Sequence, residues 1–453
     1  MPAAPRLLGF GIMHAREWVA RNLAASLLAG VWTPRALLKR TEAVLGRRTK
    51  KSQRWLIEEL IEDAPAAYPP SPKWLVTFFL RSRHFTRAGR LKIRDPRSVQ
   101  PVLKSAKFAP AKRFADLAVP RLATPGDLAK WLELSIDQLD WLSDAKRQQG
   151  LTDIPILQHY WYAFAPKKAG PPRLIEIPKP KLKAIQRRIL HEILDIVPTH
   201  DCAHGFIIGR SCLGAAQVHA GESIVATVDL KNFFLNTRLS RVHGVFRSLG
   251  YPWAVARILT SLCSSSTPRS VFARLPVGRR HDWLTQKIFQ SPHLPQGAPT
   301  SPALANLAAW HLDVRIFGLA KAFGARYTRY ADDLAFSGDQ EFALKIEPFL
   351  VAVESIARDE GFALNSRKTH IMRRGGCQRV TGIVVNEHLN VPRAAYDALK
   401  ATLHNCRKNG PDAENRAGLR DFRAHLNGRV TWVENVNPAR AERLRRVFNE
   451  IRW

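Results

Sequence analysis

Cysteine is scarce in this chain of 453 residues: five are present, scattered as Cys202, Cys212, Cys263, Cys377 and Cys406, with no C-x-x-C pair. An odd, dispersed set supports neither a disulfide framework nor a zinc site, and suits a reducing compartment, the cytoplasm. Long apolar runs are also missing. A bilayer-spanning helix needs about 20 consecutive apolar residues, and the stretch from Leu7 to Met13 is broken at once by His14, Arg16 and Glu17. A soluble, unexported chain with no membrane partner is the expectation. Acidic residues are the third deficit: 38 Asp and Glu face 70 Lys and Arg, a formal net charge of +32. Lys and Arg that replace condensed counterions on phosphates gain affinity regardless of sequence, so an anionic polymer is the first partner to consider. A solvated basic surface or an anionic membrane would fit the charge as well. Repeats and low-complexity tracts are absent too. The 45% apolar content still supports an ordinary globular core, and the length asks for two or three domains.

Residues 1–121 carry no recognisable motif, only helical periodicity over 17–31, 35–45 and 52–62, then the break Tyr68-Pro69-Pro70-Ser71-Pro72. The densely basic run 81–112, interleaved with Phe85, Ile93 and Phe108, suits either nucleic-acid backbone contact or a solvated connector. Thr124 followed by Pro125 predicts a helix start, with Leu128, Trp131, Leu132, Ile136, Leu139 and Leu142 at helical spacing and Gly150 as its end. A strand pair follows over 160–165 and 173–177, then an amphipathic helix over 181–197. Further on, the patterns predict a strand over 223–229, one helix over 302–323 and two short strands with a tight turn over 325–337. A helix over 341–360 and strands near Phe362 and over 380–385 complete this part. Beyond Pro392 a small helical bundle is expected, with breaks at Gly410-Pro411 and Asn437-Pro438.

Two acidic sites stand out in so basic a chain. Asp229 ends the β-rich run Ile224-Val225-Ala226-Thr227-Val228, and Asp332-Asp333 interrupt Tyr327-Thr328-Arg329-Tyr330-Ala331-Asp332-Asp333-Leu334-Ala335-Phe336. If adjacent strands bring them together, these carboxylates make an oxygen-rich site for Mg²⁺ shared with substrate phosphates, and two such ions suit in-line phosphoryl transfer. Either site taken alone could equally be a helix cap or a surface turn.

The three boxes in order carry a family resemblance. Tyr330-Ala331-Asp332-Asp333 resembles the catalytic box of reverse transcriptases, and Asp229-Leu230-Lys231-Asn232-Phe233-Phe234 their first aspartate box. Between them, Leu294-Pro295-Gln296-Gly297-Ala298-Pro299-Thr300-Ser301-Pro302 is similar to the template- and nucleotide-contacting turn before the palm helix. Arg173-Leu174-Ile175-Glu176-Ile177-Pro178, with the helix after it, resembles the fingers segment, and Asn365-Ser366-Arg367-Lys368-Thr369 a later box whose lysine approaches the nucleotide. Within that family Ala203-His204-Gly205-Phe206, Gly209-Arg210-Ser211 and Val380-Thr381-Gly382 resemble the bacterial retron enzymes. The lineage's Asn-Ala-x-x-His box reads Ala215-Ala216-Gln217-Val218-His219, without its asparagine.

The resemblance implies an α+β right-hand polymerase: fingers and palm over 124–391 with an antiparallel catalytic sheet, a helical thumb over 392–453, and a mostly helical extension over 1–123. It implies catalytic Asp229, Asp332 and Asp333, and a metal site of Asp229, Leu230, Asp332 and Asp333 for two Mg²⁺ ions, with Mn²⁺ able to substitute. Lys168 or its neighbour Lys167, with Arg173, Phe234, Gln296 and Lys368, would contact the nucleotide. Phe234 would do so as a bulky ring that leaves no room for a 2′-OH; if the strand ran on, alternation would put Phe233 and Phe234 on opposite faces, one of them plain core. Val380, Thr381 and Gly382 would recognise RNA. The implied partners are dNTPs, a cognate noncoding RNA, its RNA-linked single-stranded DNA product and an effector protein, with antiphage defence as the role. A polymerase of another bacterial lineage and a non-catalytic RNA-binding scaffold are the alternatives.

Overall fold

Ile224, Val225, Thr227 and Val228 are stiff, β-branched side chains that pack well on a pleated surface, and they build the central strand of the structure's main sheet. The computed structural model describes residues 15–28, 32–45, 50–64, 70, 72–88, 107–144, 147–167 and 170–453. The chain divides into two compact units, one of residues 1–196 with 238–299, the other of residues 197–237 with 300–453.

In the first unit, helices Ala15–Leu28, Pro34–Leu45 and Lys50–Asp63 stand where helical periodicity predicts them, and two more follow, Pro72–Arg81 and Arg83–Ala88. Val19, Leu23 and Leu27, one helical face at intervals of four, join Leu37, Leu56, Leu60, Leu75, Phe79 and Phe85 in a shared core. Most of the Pro-rich break, and residues 89–106 of the basic run, lie outside the described residues. The single helix expected after Thr124 is two, Pro125–Trp131 and Ile136–Ser143. Thr124 caps the first and Ser135 opens the second with its own capping box to Gln138, so the chain restarts at Glu133, whose φ is +58°. Gly150 sits in a short 3₁₀ turn instead of ending a helix; a Cβ there would meet the Ser266 carbonyl oxygen at 3.0 Å. Strands β1 (Tyr160–Ala165) and β2 (Arg173–Pro178) form the expected antiparallel hairpin. The helix after it is shorter than expected, Pro180–Ile189, and passes into one π turn, Leu190–Leu194.

In the second unit, β3 (Ile224–Asp229), β4 (Arg326–Tyr330), β5 (Asp333–Gly338) and β6 (His370–Arg373) form one antiparallel sheet in the order β4-β5-β3-β6. The strand expected near Phe362 reduces to a single bridge between Leu230 and Leu364. The helix expected over 302–323 is Ser301–Ala308 followed by Trp310–Ala322, and that over 341–360 is Gln340–Leu344 followed by Ile346–Asp359. β7 (Arg379–Val380) and β8 (Ile383–Val384) make a small hairpin. Helices Arg393–Asn409, Pro411–Glu414, Phe422–Val436 and Pro438–Asn449 complete the chain, broken at Gly410 and Asn437 as expected. Their apolar faces (Tyr396, Leu403, Val430, Leu444, Phe448) share a core with Val225, Ala335, Val380 and Ile383. Among the described residues no helix is long and apolar enough to cross a membrane.

Candidate active site

The register of β3 on β5 sets Asp229 directly opposite Asp333. Between Tyr330, the last residue of β4, and Asp333 only Ala331 and Asp332 intervene, a two-residue turn whose first member has φ +57°. A positive φ at that position favours glycine, so Ala331 is held in a conformation it would not choose alone. The Leu230 amide donates to the Asp332 carbonyl at 2.9 Å and ties the turn to the end of β3. Three carboxylates therefore meet at one edge of the sheet, where like charges placed opposite each other repel.

The surroundings record that repulsion. Burial, then the neighbouring Asp332 and Asp229, push the Asp333 carboxyl up to about 6, with Lys368 acting the other way. Asp229 is 5% exposed; Asn365 Nδ2 donates to its Oδ1 at 2.9 Å and Lys368 Nζ to its Oδ2 at 2.8 Å. That hydrogen bond raises the Lys368 ammonium above its ordinary value. Among the described residues no three His, Cys, Asp or Glu side chains form a ready-made metal cage. Mg²⁺ commonly takes one or two carboxylates and completes its shell with water and substrate phosphates, so hard oxygen donors with mutual repulsion at one edge fit such an ion.

After Asp229 the chain does not run on as a strand. Asn232 takes φ +49° and a short helix, Phe233–Asn236, begins. Phe233 is 3% exposed and packs on Phe362, whereas Phe234 is half-buried. The two rings stay in contact, centroids 5.7 Å apart, and diverge by the roughly 100° between neighbours on a helix instead of by strand alternation; the core ring is Phe233.

Asp229, Leu230, Asp332, Asp333, Phe234 and Lys368 belong to the second unit, whereas Arg173 and Gln296 belong to the first. Arg173 opens β2 and is exposed. The Gln296 carbonyl accepts from the Glu176 amide at 2.8 Å, and a Cβ on Gly297 would fall 2.6 Å from the Glu176 carbonyl oxygen, so only glycine permits that approach. Lys168 lies outside the described residues. Val380 is buried at the end of β7, and Thr381 (φ +50°) with Gly382 (φ +83°) makes the hairpin turn, whose paired positive φ values are those of type I′. In the box that lacks the asparagine, His219 is fully buried, bonded to Ser337 Oγ at 2.7 Å and Thr328 Oγ1 at 2.8 Å; burial, then Arg326, lowers its imidazole to about 3, so it packs as a neutral ring. Asn365, the second holder of Asp229, is a site residue that spacing alone does not single out.

Residues 165–401 match the family "Reverse transcriptase (RNA-dependent DNA polymerase)". The chain is 36% identical over 383 residues to the retron Mx65 reverse transcriptase of Myxococcus xanthus, covering 83% of this chain and 81% of that one. It is 36% identical over 328 residues to the retron Mx162 reverse transcriptase of the same organism, covering 69% and 64%. With the retron Ec86 reverse transcriptase of Escherichia coli it shares 32% over 307 residues, covering 67% and 84%. The chain belongs to the retron reverse transcriptases. It is accordingly an RNA-directed DNA polymerase of right-hand, α+β architecture with a mostly helical N-terminal region. In this retron reverse transcriptase the carboxylate edge lies within the matched segment.

Proposed function

We propose that this polymerase copies part of a cognate structured noncoding RNA into multicopy single-stranded DNA that stays linked to RNA, and that it does so in antiphage defence with an effector protein. The observation that carries the catalytic half of the reading is the register that sets Asp229 against Asp333 beside Asp332. Its similarity to three retron polymerases supports the other half.

Asp229, Asp332 and Asp333, with Leu230 beside them, would hold two Mg²⁺ ions, which when bound supply charge neutralisation on the attacking and leaving oxygens. A primer hydroxyl gives up its proton to solvent as its oxygen bonds to the dNTP α-phosphorus, the bond from that phosphorus to the oxygen shared with the β-phosphate breaks, and pyrophosphate leaves with the electron pair. Lys168, Arg173 and Lys368 are the cations for the triphosphate, Gln296 contacts the template or nucleotide, and Phe234 stands under the sugar. The hairpin turn at Val380, Thr381 and Gly382 reads the RNA. Residues 124–391 act as fingers and palm, 392–453 as thumb, and 1–123 add nucleic-acid affinity in a cytoplasmic enzyme.

Asp332→Ala tests the site. DNA synthesis falls by about 10²–10³ or more, the scale for loss of a main transition-state charge stabiliser, while RNA affinity and thermal midpoint stay near those of the unaltered enzyme. Primer extension at an undiminished rate would remove these carboxylates from the chemistry. Branched RNA-linked DNA purifying with the expressed enzyme tests the product, and its absence when the neighbouring RNA gene is supplied would count against the retron role.

A further inference from the structure

Arg329 is fully buried, the largest of the completely covered side chains among the described residues. All of its hydrogen-bonding contacts are internal to the second unit. Nε donates to Asp313 Oδ1 at 2.7 Å and Nη2 to Asp313 Oδ2 at 2.6 Å, a bidentate fork. Nη1 donates to Asn306 Oδ1 at 2.8 Å and to the Ala331 carbonyl at 3.0 Å, and the guanidinium stands 5.5 Å over the Phe233 ring. Asp313 also accepts from the Tyr327 hydroxyl at 3.0 Å. Asn306 in turn donates to the Gly205 carbonyl at 2.7 Å.

Gly205 closes the other side of the same turn. Residues 202–204 run beside β4, with the Arg329 amide donating to the Cys202 carbonyl and the His204 amide to the Arg329 carbonyl, both at 2.7 Å. A Cβ on Gly205 would lie 2.6 Å from the Ala331 amide nitrogen. One strained residue, Ala331, is thus bonded through its carbonyl by a buried cation, and its amide lies where any side chain at Gly205 would collide with it. Both contacts act on the residue immediately before Asp332.

We propose that Arg329 is the positioning residue of the turn that carries Asp332 and Asp333: its bond to the Ala331 carbonyl holds that residue at positive φ, and Asp313 and Asn306 fix the guanidinium. The inference rests on Asp332 and Asp333 being the catalytic carboxylates. A buried pair could instead serve stability alone, and the two roles separate experimentally, because exchanging a buried ion pair for apolar side chains of similar volume is often neutral for stability.

The test is the double variant Arg329→Met with Asp313→Leu, compared with Asp332→Ala. The double variant still folds cooperatively, with a thermal midpoint lowered by the unpaired Asn306 Oδ1, Ala331 carbonyl and Tyr327 hydroxyl; it keeps RNA affinity close to the parent and changes the dNTP KM little, while kcat drops about 10²-fold, the effect of a misplacement near 1 Å. Adding Ala331→Gly, which takes positive φ unaided, recovers about fivefold of that loss. Gly205→Ala reaches the turn without touching any charge and lowers kcat in the same way, so the inference remains testable if the double variant does not fold. Parental kcat in a folded double variant or in Gly205→Ala, or no recovery with Ala331→Gly, overturns the positioning role. Full activity in Asp332→Ala would instead overturn the assignment of the carboxylates on which it rests.

Discussion

Each of the two units buries an ion pair beside a tight turn, and the two pairs differ in whether their cation can be switched off. In the second unit the cation is Arg329, held by Asp313 under the Ala331-Asp332 turn. In the first it is His293, whose Nε2 lies 2.8 Å from Glu176 Oε2, with the Thr267 hydroxyl donating to the other carboxylate oxygen at 2.9 Å. Glu176 is also the residue whose amide holds the Gln296 carbonyl. An arginine keeps its charge at any pH a protein survives, and Asp313 raises its pKa further against the opposing effect of burial. A histidine does not. The turn that carries the carboxylates is therefore pinned by a permanent charge, and the turn with the Gln-Gly pair by a conditional one.

Removing the anion from each pair should separate them most widely. Asp313→Ala strands a guanidinium that cannot neutralise, a loss of about 3–5 kcal/mol. Glu176→Ala leaves an imidazole that sheds its proton, a loss of about 1–3 kcal/mol. Denaturant midpoints measure both, and equal losses would break the comparison.

Acidity should sharpen it. Burial lowers the His293 imidazole, but the charge and hydrogen bond of Glu176, with the Ser291 carbonyl, outweigh it and leave the group above its ordinary 6.5. Its contribution is then complete below pH 6.5 and lost as pH rises through the elevated value. Hydrogen exchange at residues 265–267 and 293–297, corrected for intrinsic rate, should accelerate across that window while residues 326–337 stay constant. Acceleration in both segments would mean that the histidine is not the cause.

A smaller effect is expected at Asp333. With its carboxyl raised to about 6, the ionised form costs the folded state above that pH, and the cost disappears as pH falls towards 3.8. Asp333→Asn should stabilise the metal-free enzyme by about 1 kcal/mol at pH 7.5, a figure reduced for solvent screening because the residue as a whole stays open to water while its carboxyl is partly desolvated, and add nothing at pH 4. Synthesis is lost in the same variant, so calorimetry and primer extension move in opposite directions. The smallest expected change is at the half-buried Phe234: Phe234→Ala should leave the fold intact and raise the ratio of rNTP to dNTP incorporation, whereas an unchanged ratio would place sugar selection elsewhere.

The carboxylates were legible because β-branched runs around them announce strands and because three boxes in order are far more specific than one. Helix breaks were not. The apolar period runs straight through Glu133, Ala309 and Lys345, and what divides the helices there is local: a second capping box at Ser135, and residues near ψ 0° at Ala309 and Lys345. β6 escaped notice because His370-Ile371-Met372-Arg373 is an edge strand with most of its side chains in water, so no alternation marks it. The buried pairs were invisible for another reason. Glu176 and His293 lie 117 residues apart, and Arg329 sits 16 from Asp313 on a different element; in a chain with 70 Lys and Arg, one more arginine carries no signal.

The pairing of Asp229 with Asp333 has a consequence for how sequences of this kind can change in length. Side chains on a strand alternate between faces, so losing or gaining one residue within Ile224–Asp229 or Asp333–Gly338 would send every following side chain to the opposite face. Asp229 would then point away from Asp333 while the hydrogen-bond ladder still closed. Substitutions in these segments can be absorbed one at a time, but single-residue insertions and deletions cannot. Descendants of this sequence should accumulate length differences in the loops and leave the spacing inside both strands untouched.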